Sequence, residues 1–144
     1  DKAWALRGGV PLVQGLLAPL QFLVFLVSLA LVLRFLASGE GEQLATWSVV
    51  VKTLTLYAIM VTGCLWEKAV FGRWLFAPAF YWEDVFSMLV LALHTAYLVA
   101  LFADLLTVRA QMMLALAAYA AYVVNAAQFL LKLHAARLGA RAAE

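Results

Sequence analysis

The feature that most constrains this chain is the length of its uncharged apolar segments. Three segments contain no Asp, Glu, Lys or Arg: residues 8–33, 85–103 and 110–131. A fourth, residues 44–66, contains Lys52 as its only charged side chain. A bilayer core about 30 Å thick is crossed by roughly 20 helical residues, so each segment is long enough to cross a membrane once. The segments therefore predict an all-α integral membrane protein.

The overall composition supports this interpretation. The 144 residues are 67% hydrophobic and 12% charged, and the mean hydropathy is +0.98. Soluble domains are about half apolar and about one quarter charged. A water-soluble fold of this length has no interior large enough for so many apolar side chains. The chain also lacks the short alternating segments that are typical of membrane β-strands.

We predict one domain over residues 1–144, a bundle of four transmembrane helices. The predicted spans are about 12–36, 44–67, 82–103 and 109–134. Gly39 and Gly41 indicate the turn between the first two helices. The turn before the fourth helix, near Thr107 to Arg109, is very short. The third and fourth helices are therefore expected to be antiparallel neighbours.

The Lys and Arg residues lie mostly on one side of the predicted bundle. Arg34 and Arg109 are on the side of the two short turns. The other side, which carries both termini and the connection between the second and third helices, has Lys2, Arg7, Lys68, Arg73, Lys132, Arg137 and Arg141. Because Lys and Arg are enriched in cytoplasmic flanks, both termini are predicted to be cytoplasmic.

Charge and cysteine content exclude several classes of function. The net charge of +2 and the absence of a Lys/Arg-rich run argue against a nucleic-acid partner. Cys64 is the only cysteine, so we expect neither an intrachain disulfide nor a cysteine-based zinc site. We expect no signal peptide, because the first apolar run is long and has no small-residue cleavage site. The natural start is expected upstream of Asp1.

Polar side chains in membrane spans are costly, so their positions carry information. Glu83 and His94 share one stripe of the third helix, and His94 lies about 16 Å further along the axis, near the midplane. Glu67 ends the second helix, on the same side as Glu83. Gln21, Asn125 and Gln128 lie in the same half of their helices. These positions indicate a site that is reached from the cytoplasm.

The same side chains also have purely structural explanations. Gln21, Asn125 and Gln128 are candidates for simple hydrogen bonds between helices. Glu83 and Asp84 suit the positive end of the helix dipole. Lys52, about 12 Å from the outer end of its helix, is expected to extend outward to the interface. Tryptophans in the connection are typical interfacial anchors.

Four long stretches resemble the spans of the bacteriochlorophyllide C3-vinyl hydratases of anoxygenic phototrophs. They are VQGLLAPLQFLVFLVSLALVLRFL (Val13–Leu36), VVKTLTLYAIMVTGCLWEKAVFG (Val50–Gly72), LFAPAFYWEDVFSMLVLALHTAYL (Leu75–Leu98) and LAAYAAYVVNAAQFLLKL (Leu116–Leu133). The resemblance covers about residues 10–137. The family departs from this chain at the N-terminus, where it carries more sequence than the few residues before Trp4.

The resemblance implies a reaction, a substrate and a location. Family members add water to the vinyl group of chlorophyllide a or a related bacteriochlorophyllide, giving a 1-hydroxyethyl group. We expect no cofactor, since the substrate carries its own Mg. The expected location is the bacterial inner membrane, among lipid and other enzymes of pigment biosynthesis. A homo-oligomer is expected because four helices cover a macrocycle thinly. The alternative is a pigment- or quinone-binding assembly subunit without catalytic activity.

Hydration of a vinyl group needs an acid, a base and an apolar slot for the macrocycle. We assign Glu83 as the acid and Glu67 or Asp84 as the base, because a carboxyl group in a low-dielectric environment retains its proton. His94 is a candidate axial ligand of the substrate's Mg, or a proton relay. The residues expected to bind or orient the substrate, its propionate and the water are Gln21, Lys68, Arg73, Trp74, Phe80, Trp82, Asn125 and Gln128.

Overall fold

The computed structural model describes the backbone of residues 9–143 and the side chains of residues 12–142. This part of the chain contains four α-helices and one short 3₁₀ helix, Pro78–Phe80. The α-helices are α1 (Gly9–Ser38), α2 (Glu42–Phe71), α3 (Tyr81–Phe102) and α4 (Val108–Ala143). All four are long and apolar enough to cross a membrane, which confirms the predicted all-α, multi-pass architecture. Lys2 and Arg7, used in the orientation argument, lie outside the described residues.

The observed helix ends match the predicted ends to within about one turn, with one exception. Helix α4 continues to Ala143, whereas the prediction ended it near residue 134. The added segment is rich in Ala and Arg, which have high helix propensity, so the helix continues after the hydrophobic pattern stops. Its side chains from residue 130 to 142 are exposed, so this end of α4 extends beyond the bundle.

The helices form two antiparallel hairpins, α1–α2 and α3–α4, each packed along most of its length. Gly39 and Gly41 occupy the first turn at φ 74° and 81°, a conformation that glycine adopts without strain. Thr107 begins α4, where its hydroxyl accepts a hydrogen bond from the Ala110 amide at 3.2 Å. The prediction that α3 and α4 are antiparallel neighbours is confirmed.

The hairpins meet mainly where α1 packs against α4, and α2 contacts α3 over a shorter stretch. The fully buried side chains between the helices include Val32, Val49, Leu56, Val90, Tyr97, Met112 and Tyr119. Only 22% to 33% of the most apolar window of each helix is buried within the molecule. The remaining apolar surface is suited to contact lipid, as expected for a small membrane bundle.

The expectation that Lys52 extends outward to the interface is wrong. The side chain is 0% exposed, and its ammonium lies inside the bundle. Lys52 Nζ donates a hydrogen bond to Gln21 Oε1 at 2.9 Å and lies 3.8 Å from the centroid of the Tyr122 ring. Lys52 is about 15 Å from the start of α2, too far for its side chain to reach water. A facing amide oxygen and an aromatic ring stabilise the ammonium instead.

Candidate functional site

The connection between α2 and α3 folds back over the ends of both helices. Helix α2 is capped by Gly72, which has a φ of 76° and whose amide donates a hydrogen bond to the Lys68 carbonyl. The chain then passes through Ala77, which is completely buried, into Pro78–Phe80 and α3. The connection is therefore packed against the helix ends and holds its backbone amides inside the protein.

Two carboxyl groups meet beneath this connection. Glu67, in the last turns of α2, is 6% exposed, and Asp84, in the first turn of α3, is 3% exposed. The two carboxyl groups bind the consecutive backbone amides of Phe76 and Ala77, so they lie side by side. The arrangement is therefore a buried carboxyl pair, one member from each helix.

Two consecutive backbone amides orient the carboxyl pair. The Phe76 amide donates to Asp84 Oδ2 at 3.0 Å, and the Ala77 amide donates to Glu67 Oε2 at 3.4 Å. Phe76 reaches this position with a φ of 62°, in the left-handed region that bulky residues rarely adopt. Such backbone strain costs of order 1–3 kcal/mol and persists where surrounding contacts enforce it. Of the two hydrogen bonds, the one from the Phe76 amide to Asp84 is the shorter.

Glu83, next to Asp84, faces α4 rather than α2. Its Oε1 forms an ion pair with Lys132 Nζ at 2.8 Å, and Lys132 also donates to the Ala79 carbonyl at 2.5 Å. The Glu83 side chain is therefore directed to Lys132 and away from the carboxyl pair. The ion pair fastens the connection between α2 and α3 to α4.

An amide network continues from Glu83 into the bundle. Asn125 Nδ2 donates to the Glu83 carbonyl at 3.1 Å and to Gln128 Oε1 at 3.2 Å. Asn125 Oδ1 accepts from the Ser87 hydroxyl at 3.0 Å. The predicted residues Asn125 and Gln128 therefore lie beside the N-terminal end of α3, which carries Glu83 and Asp84. There they fix the rotation of α3 against α4.

An apolar groove of about 460 Å³ opens between α2 and α3. These two helices pack together less extensively than the helices within each hairpin do. Its lining residues are Tyr57, Met60, Val61, Cys64, Leu65, Trp74, Leu75, Met88, Leu91 and Thr95. On α3, Asp84 precedes Met88, Leu91 and Thr95 by four, seven and eleven residues, so all four share one helix face. Cys64 is one turn before Glu67 on α2. The helix faces that line the groove therefore continue to the carboxyl pair.

A second polar group lies deeper in the bundle, which we call the interior polar cluster (Gln21, Lys52 and His94). His94 is 0% exposed and its Nδ1 donates to the Val90 carbonyl at 2.8 Å. Its ring lies 5.8 Å from the Tyr119 ring, and Lys52 Nζ lies 5.8 Å from the centroid of the same ring. His94 is about 15 Å from Asp84 along α3. The predicted site residues thus fall into two groups rather than one.

The predicted aromatic and basic residues are also divided. Trp74 lines the groove, whereas Trp82 is 71% exposed and points away from it. Phe80 packs against an aromatic cluster of Trp66, Phe71 and Phe129. Lys68 and Arg73 are exposed, and Lys68 Nζ donates to the Gly72 carbonyl at 3.1 Å and lies 5.8 Å from the Trp74 ring. Two positive charges therefore flank the connection that covers the carboxyl pair.

Sequence reasoning missed one polar contact across the groove. Tyr57 of α2 and Thr95 of α3 share a hydrogen bond at 2.6 Å between their hydroxyls. The spacing of eleven residues from Asp84 to Thr95 is the signal that could have found it. At 3.6 residues per turn, this spacing is close to three turns, so the two residues share a face of α3.

Comparisons with known proteins agree on one family. The family model described as 2-vinyl bacteriochlorophyllide hydratase matches residues 8–135. The chain is 65% identical over 133 residues to the 2-vinyl bacteriochlorophyllide hydratase of Cereibacter sphaeroides, covering 92% of this chain and 82% of the relative. It is 64% identical over 142 residues to the protein of that name from Rhodobacter capsulatus, covering 97% of this chain and 82% of the relative. No solved structure matches the chain.

Proposed function

Because the chain belongs to the 2-vinyl bacteriochlorophyllide hydratase family, we propose that it adds water to the vinyl group of a chlorophyllide or bacteriochlorophyllide. The product carries a 1-hydroxyethyl group in place of the vinyl group. The observation that supports this most directly is the carboxyl pair of Glu67 and Asp84, on the two helices that line an apolar groove. The groove suits a flat apolar macrocycle, and the carboxyl pair supplies a proton at its edge.

Glu67 is the acid in this proposal. An isolated vinyl group reacts slowly with water, but a proton on its terminal carbon leaves a cation on the inner carbon, which the conjugated macrocycle stabilises by delocalisation. The O–H bond of Glu67 breaks as the new C–H bond forms. Burial of the pair away from water keeps a proton available for this step. This assignment replaces Glu83, whose side chain is ion-paired with Lys132 on α4.

Asp84 is the base that completes the reaction. A water molecule attacks the inner carbon, a C–O bond forms, and Asp84 accepts the proton that the water releases. That proton then crosses the shared hydrogen bond from Asp84 to Glu67, which restores the starting state of the pair. No net proton is consumed, and the substrate gains one water. Proton transfer by a positioned side chain contributes about 10²–10⁴-fold to a rate.

The neighbouring polar residues hold the pair in position. The Phe76 and Ala77 amides bind its outer oxygens. Lys132 fixes the covering connection through the Ala79 carbonyl, and Asn125 holds the start of α3 through the Glu83 carbonyl. Rigid support of this kind keeps the reacting groups in near-attack geometry, which strongly affects rates. We assign Asn125, Gln128 and Glu83 this positioning role.

The groove would receive the macrocycle from the lipid side. Trp74 at its rim is suited to pack on the ring, and Lys68 and Arg73 nearby carry the charge that a propionate carboxylate requires. The chemistry proposed here requires no cofactor besides the Mg that the substrate carries. His94 is enclosed in the interior polar cluster, away from the groove, which favours a structural role for it over ligation of that Mg.

The orientation follows the distribution of positive charge. Lys68, Arg73, Lys132, Arg137 and Arg141 lie at the end of the bundle that holds the carboxyl pair. By the positive-inside rule this end, with both termini, faces the cytoplasm of the bacterial inner membrane. A homo-oligomer would give the exposed groove further cover.

A turnover assay tests the proposed function. Membranes that contain the protein are incubated with chlorophyllide a, and the extracted pigment is analysed by mass spectrometry. We expect a product heavier by one water, absent from membranes that lack the protein. Pigment that is bound but unaltered would instead support the alternative, a pigment-binding assembly subunit.

A further inference from the structure

The Tyr57–Thr95 pair bridges α2 and α3 at the far end of the groove from the carboxyl pair. Their hydroxyls are 2.6 Å apart, and both side chains line the groove. Most of the other side chains that line the groove are hydrocarbon or contain sulfur. Tyr57 and Thr95 therefore place hydroxyl groups in an otherwise largely apolar groove.

The two hydroxyls have more hydrogen-bonding capacity than their shared bond uses. Each hydroxyl carries one hydrogen, and one bond between them uses one of the two. Whichever hydroxyl donates, the other retains an O–H group next to apolar surroundings. An unsatisfied donor in hydrocarbon is costly, so this O–H group favours a ligand with an acceptor oxygen.

The Tyr57–Thr95 pair lies about three helical turns from the carboxyl pair. Tyr57 and Glu67 are ten residues apart, about 15 Å along α2, and Asp84 and Thr95 are eleven residues apart, about 16 Å along α3. The macrocycle carries its vinyl group on one pyrrole ring and a ketone on the fused carbocycle at the opposite side. A macrocycle that lies along the groove would therefore direct its vinyl group and its ketone toward opposite ends.

We propose that the Tyr57–Thr95 hydroxyl pair donates a hydrogen bond to the ketone of the macrocycle and so sets the register of the substrate in the groove. This inference rests on the proposed function. With the ketone held at this end, the vinyl group lies beside Glu67. The pair therefore selects tetrapyrroles that carry a carbonyl opposite the vinyl group. Tyr57 and Thr95 are specificity residues and take no part in proton transfer.

Equilibrium binding in detergent micelles tests the inference independently of turnover. The probes are chlorophyllide a and an analogue in which the ketone is reduced to a methylene group, and their Kd values are measured by fluorescence titration. Tyr57→Phe combined with Thr95→Val should raise the Kd for chlorophyllide a about tenfold, the loss of about one well-made hydrogen bond. The Kd for the analogue should be the same for this variant and the unmodified protein.

Two further variants serve as controls. Thr55→Val removes a hydroxyl that donates to the Lys52 carbonyl of its own helix, so it should leave both Kd values unchanged. Thr95→Ser retains the hydroxyl and should bind chlorophyllide a as the unmodified protein does. An unchanged Kd for chlorophyllide a in the double variant, or an equal loss with both probes, would overturn the inference. Absence of hydration in the same samples would count against the proposed function alone.

Discussion

Replacement of Glu67 by Gln is expected to lower kcat by about 10²–10⁴-fold while the Kd for chlorophyllide a changes by no more than a few fold. Glutamine has nearly the shape of glutamic acid, and its side-chain oxygen still accepts a hydrogen bond from the Ala77 amide, so the fold is retained. It has no acidic proton for the terminal carbon of the vinyl group. Measurement of kcat and Kd on the same preparation separates loss of chemistry from loss of binding.

Asp84→Asn is expected to cause a loss of similar size. The two carboxyl groups act as one unit, so the double variant should be no slower than the slower single variant. Glu83→Gln is the matched control, because Glu83 is adjacent in sequence but paired with Lys132. It should cost less than about tenfold, through weaker positioning. If Glu83→Gln removes activity and Glu67→Gln does not, the acid is Glu83, as the sequence alone suggested.

Gln21→Leu is expected to destabilise the bundle by about 2–3 kcal/mol, because it removes the acceptor of a buried ammonium. Lys52 is fully enclosed and its Nζ hydrogen bond goes to Gln21 Oε1. Lys52→Met in the Gln21→Leu background should restore most of the loss, since a buried polar pair is often replaceable by apolar side chains of similar size. Thermal unfolding in detergent measures both effects.

The control for this series is Gln43→Leu, an exposed glutamine at the start of α2. It should change stability by less than about 0.5 kcal/mol. Stability of Gln21→Leu equal to that of the unmodified protein would contradict the role assigned to the interior polar cluster. So would a Gln21→Leu, Lys52→Met variant that is no more stable than Gln21→Leu alone.

The helices and their neighbours were predictable from the sequence because the membrane imposes them. Uncharged runs of sufficient length have to be helical in lipid. Because the turn between α3 and α4 is very short, these two helices pack as antiparallel neighbours. The convergence of Glu67 and Asp84 at one end followed from their positions beside the same connection. The α4 extension to Ala143 did not follow from the apolar pattern, since helix propensity alone sustains it.

The partner of each carboxyl group was not predictable. Glu83 and Asp84 are consecutive, so their side chains leave α3 about 100° apart, and only one can face α2. Which one does so depends on how α3 is rotated against α4, a rotation set by Asn125 and Lys132. Lys52 presents the same difficulty, because its inward position depends on an amide that another helix supplies. Both outcomes are decided by tertiary contacts.

The central claim is that Glu67 and Asp84 hold one proton between them beside the groove at neutral pH. Infrared spectroscopy measures this directly, as the difference between the unmodified protein and Glu67→Gln in lipid. We expect the carbonyl band of a protonated carboxylic acid in the unmodified protein, lost in Glu67→Gln and retained in Glu83→Gln. A spectrum without a protonated carboxyl band, or a band lost only in Glu83→Gln, would contradict it.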